Sequence, residues 1–77
     1  MNNTRRKELT KLTEKLSALV EEIQIVLDDE QDYFDNIPEN LAYSSTAERS
    51  EEAISELEDS IEYLTNCIDS IDNAINA

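Results

Sequence analysis

Apolar residues recur along the first half of the chain at Leu9, Leu12, Leu16, Leu19, Ile23, Val26, Tyr33 and Ile37, with Glu30 occupying the slot between Val26 and Tyr33. Steps of three and four residues alternate throughout, which is the period of one face of an α-helix. This helix is predicted over about residues 3–35. It ends there because Pro38 lacks a backbone donor and pushes Ile37 out of the helical region. The second half repeats the pattern without interruption at Ile54, Leu57, Ile61, Leu64, Ile68, Ile71 and Ile75. Its helix is expected over about 46–76, started by Ser45 with Glu48 three residues on, the pattern of a capping box.

The connection, about 36–45, is too short for anything but antiparallel neighbours. Within it Asn36-Ile37-Pro38-Glu39-Asn40-Leu41 has room for one helical turn with Pro38 at its first position. The expected fold is therefore all-α, an antiparallel two-helix hairpin resembling a coiled coil, in one domain spanning residues 1–77.

Charge supports the same pairing. Five of the six basic residues, Arg5, Arg6, Lys7, Lys11 and Lys15, lie at the start of the first helix, where the helix dipole disfavours cations. In an antiparallel hairpin they lie beside the negative end of the second helix dipole and beside Asp69 and Asp72. Such exposed pairs contribute a few tenths of a kcal/mol to about 1 each, enough to choose an orientation but little for stability.

The first helix carries a second apolar row, Val20, Leu27 and Phe34, at seven-residue spacing. The second helix carries small residues instead, Ala53, Ser60, Cys67 and Ala74. With the first stripe as the seam, Val20, Leu27 and Phe34 form an uncovered edge. Each such side chain contributes roughly 1.5–3 kcal/mol when buried, which a chain of this size can hardly forgo. The edge predicts a homodimer, two hairpins making a four-helix bundle. The alternative is that the first helix turns its wider stripe onto the second and leaves a marginal monomer.

Composition narrows the chemistry. There is no Gly and no His, and Cys67 stands alone. Glycine-dependent phosphate and calcium loops are excluded, and so are histidine metal sites and serine–histidine nucleophiles. Asp28, Glu30 and Asp32 imitate the alternating oxygens of a calcium loop but lie within a helix. Cys67 has no basic neighbour to stabilise a thiolate and reads as a small packing residue. No cofactor, no metal and no catalytic residue is expected; the chain reads as a non-enzyme. Without an apolar span or signal-like start it is expected to be cytoplasmic, away from membranes.

The formal charge is −13, which opposes direct binding to nucleic acid or to anionic membranes and favours a basic protein surface. Between Leu16 and Thr65 stand fifteen acids and one Arg. Folded back on itself over about 30 Å, that stretch carries roughly one charge per 2 Å, against about one per 1.7 Å in duplex DNA. The candidate contact residues are Asp28, Asp29, Asp32, Asp35 and Glu39 near the hairpin tip, with Glu51, Glu52, Glu56, Glu58, Asp59 and Glu62 on the second helix. Ile25 and Tyr63 fall off the apolar stripes and, with Tyr43 at the tip, are candidate contact anchors, tyrosine being common at interface hot spots. The other reading of the acids is that they keep a small helical adaptor soluble.

The run Asp28-Asp29-Glu30-Gln31-Asp32-Tyr33-Phe34-Asp35-Asn36-Ile37-Pro38-Glu39-Asn40-Leu41, after a basic start with Arg5-Arg6-Lys7, resembles small uncharacterised acidic phage and prophage proteins of bacteria. The resemblance covers nearly the whole chain, and the acidic, aromatic tip is its distinctive motif. It implies a bacterial host cell and a likeness in kind to inhibitors that imitate DNA, such as anti-CRISPR, anti-restriction and uracil-glycosylase inhibitor proteins. No site residue is implied by it.

Overall fold

The computed structural model describes residues 1–77 and contains two long helices and one short turn. Helix α1 spans Asn3–Asp35, a 3-10 turn spans Glu39–Leu41, and helix α2 spans Ser45–Ile75. The two helices pack antiparallel as a hairpin, the all-α architecture expected from the spacing.

Local chemistry sets the ends. The Asn2 side chain accepts a hydrogen bond from the Arg5 N–H at 2.9 Å and caps α1. At the other end Asn36 donates from its backbone and from Nδ2 to the Asp32 carbonyl. This closes the last turn without glycine. Pro38, with φ −58° and ψ 146°, then leads into the 3-10 turn, closed by the Leu41 N–H on the Pro38 carbonyl at 2.8 Å. Helix α2 is capped by Ser44, whose Oγ accepts from the Ala47 N–H at 3.2 Å. The cap thus lies one residue before the expected Ser45. Glu48 consequently falls outside capping-box spacing, although it stays in the first turn where the dipole favours a carboxylate.

The molecule is a rod of 60 × 15 × 12 Å with a radius of gyration of 17.5 Å. A compact chain of this length would have a radius of about 11 Å. Its core is correspondingly thin. Only Thr13, Leu27, Ala47, Ser50 and Ile54 are buried.

The seam on α2 is the expected stripe, extended towards the tip by Ala47 and Ser50. The seam on α1 is not. Its inward residues are Arg6, Leu9, Thr13, Leu16, Val20, Ile23, Leu27, Glu30, Phe34 and, just past the helix, Ile37, all buried or half-buried. Leu12, Leu19, Val26 and Tyr33 are instead about half exposed. The predicted uncovered edge of Val20, Leu27 and Phe34 therefore packs inside the hairpin, and four residues assigned to the seam form the exposed edge.

A matching of flanks explains the rotation. In an antiparallel pair each flank of one helix faces the corresponding flank of the other. As α1 sits, its uncharged polar flank of Thr10, Ser17, Gln24 and Gln31 meets the α2 flank of Glu51, Glu58, Thr65 and Asp72. Its apolar flank of Leu12, Leu19, Val26 and Tyr33 meets the small row of Ala53, Ser60, Cys67 and Ala74. Turned the other way, Val20, Leu27 and Phe34 would lie against the carboxylates of Glu51 and Glu58.

Two polar residues interrupt the seam near the tip. Glu30 is half-buried, and Ser50 is 4% exposed with a hydroxyl oxygen that has no hydrogen-bond partner. Thr13 is equally buried but donates to the Thr10 carbonyl at 2.9 Å.

Candidate acidic interaction surface

The seam divides the rod into two unlike long faces. One is acidic. Going outward from the seam on α1, it presents Thr10, Ser17, Gln24 and Gln31, then a row of Glu14, Glu21, Asp28 and Asp35 at seven-residue spacing. On α2 the same face presents Glu51, Glu58 and Asp72, with Glu48, Glu62 and Asp69 beyond them; every one of these carboxylates is exposed. Neutral amides and hydroxyls run between two rows of acids.

The amides also hold the carboxylates. Gln24 Nε2 donates to Asp28 Oδ1 at 2.9 Å, and Gln31 Nε2 donates to Asp35 Oδ1 at 2.9 Å. Pairs of this kind, four residues apart, stabilise a helix by about 0.2–0.5 kcal/mol each. Their larger effect is geometric. They restrict two carboxylates that would otherwise sample several rotamers, so less side-chain entropy is lost when a partner engages them.

Of the residues singled out in the sequence, Asp28, Asp35, Glu51, Glu58 and Glu62 come together on this face. Asp32 lies on the outer back of α1, and Glu52 and Asp59 on the outer back of α2, so these point away from one another. Asp29 and Glu56 lie on the opposite shoulders, and Glu39 is exposed in the turn. The periodicity treated the acids as one cloud. Glu14, Glu21, Glu48, Asp69 and Asp72 belong to the acidic face and were missed, although the seven-residue spacing of Glu14, Glu21, Asp28 and Asp35 was there to be read.

The proposed anchors are exposed but dispersed. Ile25 is on the back of α1, Tyr63 on the outer side of α2, and Tyr43 projects from the tip with 93% of its surface free. Beside it a shallow, open depression of about 390 Å³ is lined by Tyr33, Ile37, Pro38 and Leu41 together with Asn36, Ser44 and Thr46.

Charge is also graded along the rod. The Leu16–Thr65 portion holds a net −14 of the total −13, leaving one net positive charge at the open end. There Arg6 Nε donates to the Ile75 carbonyl at 2.9 Å, and its terminal nitrogen lies 3.3 Å from the Ala77 oxygen. Of the basic start, Arg6 thus meets the negative end of the α2 dipole. Arg6 does so through backbone carbonyls rather than through Asp69 or Asp72.

No three of the Cys, Asp or Glu side chains converge as a cage for one ion, and Asp28, Glu30 and Asp32 project to three different sides of α1. No helix is long and apolar enough to cross a membrane. Compared with protein-family models, with curated proteins and with solved structures, the chain matches none of them.

Proposed function

We propose that the protein is a non-enzymatic acidic DNA mimic, a phage-type inhibitor that occupies the nucleic-acid-binding groove of a bacterial defence or DNA-processing protein. The observation that carries this reading is the pair of carboxylate rows on one face of a narrow rod, two of whose carboxylates are held by the Gln24 and Gln31 amides. The rod, 15 × 12 Å in cross-section and broadened further by its side chains, fits a groove shaped for a duplex. The partner's lysines and arginines would meet a dense anionic field in the place of phosphates.

The experiment is capture from a bacterial lysate by the immobilised chain at low salt, followed by elution with salt or with duplex DNA. A basic nucleic-acid-binding protein displaced by both is the expected result. Capture that duplex DNA leaves intact would show that the groove is not the site.

The exposed row of Leu12, Leu19, Val26 and Tyr33 favours a second reading. In it the chain is a small dimeric structural or adaptor protein, and its carboxylates serve solubility.

A further inference from the structure

We infer that the face opposite the acidic rows is the docking surface for a second copy of this chain. The inference deepens the second reading above and stands whether or not the first holds, because the two faces lie on opposite sides of the rod.

The face is built from two rows. Leu12, Leu19, Val26 and Tyr33 on α1 are 49–58% exposed. On α2 the flanking row is Ala53, Ser60, Cys67 and Ala74, with Thr46 at its tip end. Thr46 and Tyr33 line the same depression, which places both rows on one side of the seam. None of these nine positions is charged. In a chain with 25 charged residues among 77, an uncharged strip running most of the length of the rod is a selective surface.

The occupant follows from shape, area and charge. One row is large and the other small, so a twofold axis parallel to the rod sets the large row of each copy against the small row of the other. Every neighbouring helix pair in the resulting four-helix bundle is then antiparallel. The single chain exposes 5916 Å², whereas a compact protein of its mass exposes about 4,800 Å². The excess, taken over two copies, is on the order of 2,000 Å², the size of a stable dimer interface. A like-charged copy can approach here because the strip itself holds no carboxylate, Glu8, Glu22, Asp29 and Glu56 standing only at its shoulders. Its acidic rows remain outward on both copies.

The test is sedimentation of the full chain at micromolar concentration, with helicity followed by circular dichroism. Wild type is expected at twice 8.8 kDa. Val26→Asp and Cys67→Glu each bury a charge only if the dimer forms, and each is expected to weaken it by about a hundredfold. Ser17→Glu adds the same charge on the acidic side and is expected to leave the dimer mass unchanged. Cys67 is exposed in the single hairpin, so Cys67→Glu decides the matter even if Val26→Asp loses helicity.

The tips lie together in this packing and repel, so the dimer tightens as salt is raised. A wild-type chain at the mass of one copy overturns the inference, as does a Cys67→Glu variant that still pairs. A dimer that weakens with salt is held by opposite ends and overturns the large-on-small packing.

Discussion

Arg6 Nε and the Ile75 carbonyl meet at 2.9 Å across the open end of the hairpin, 69 residues apart in the chain. Elsewhere the two helices are joined by apolar packing; here a cation at the unfavourable end of one helix dipole satisfies an orphan carbonyl at the negative end of the other. Arg6→Ala removes that link and is expected to cost about 1 kcal/mol, since the site is only part-buried. The loss should be local. Amide exchange in residues 70–75 is expected to speed up while that near Leu27 and Ile54 stays slow.

The orientation of α1 is tested by a pair of substitutions on either side of its axis. Leu27 is 7% exposed and Leu19 51% exposed. Leu27→Ala is expected to destabilise the hairpin by about 2–4 kcal/mol. Leu19→Ala, measured in dilute solution where copies are apart, is expected to cost less than about 1 kcal/mol. Equal costs in thermal unfolding would mean that α1 presents its other edge to α2.

The polar interruptions near the tip make a prediction of opposite sign. Ser50→Ala removes a buried hydroxyl that has no partner and is expected to stabilise by about 1 kcal/mol, raising the melting temperature by about 4–8 °C. Glu30→Leu, which places an apolar side chain in a half-buried seam position, is expected to act in the same direction. A fall in melting temperature for either would show that the hydroxyl or carboxylate makes a compensating interaction.

Face-specific charge reversal separates a mimic from a merely soluble rod. Changing Asp28, Asp35, Glu51 and Glu58 together to Lys reverses one face. Changing Asp29, Asp32, Glu52 and Glu56 to Lys alters net charge equally on other sides. The first set is expected to abolish partner binding and the second to weaken it by a smaller factor, with binding measured as a function of salt. Equal losses would mean that only total charge matters. No loss from either would remove the acids from the function.

Much of the architecture was legible in the chain itself. The bounds of α1 coincide with the expected 3–35, and α2 begins and ends one residue before the expected 46–76. Two series of three-four steps, the first broken once by Glu30 and the two separated by a short segment with Pro38, permit little else. The strong charge and the lack of glycine and histidine likewise bounded the chemistry before any fold was known.

What the sequence left undecided was the rotation of α1 about its own axis. Two apolar rows compete on that helix, and Leu12, Leu19, Val26 and Tyr33 look the better core because the other row begins with Arg6 and Thr13. The competition is settled only when α2 stands alongside. Carboxylates at Glu51 and Glu58 require a polar, uncharged flank opposite them, which Gln24 and Gln31 supply, while Ala53 and Ser60 on the other flank leave room for larger neighbours. Period within one segment specifies that a face is buried. Which of two overlapping faces it is depends on residues far along the chain, and so does the separation of an acidic side from an uncharged one.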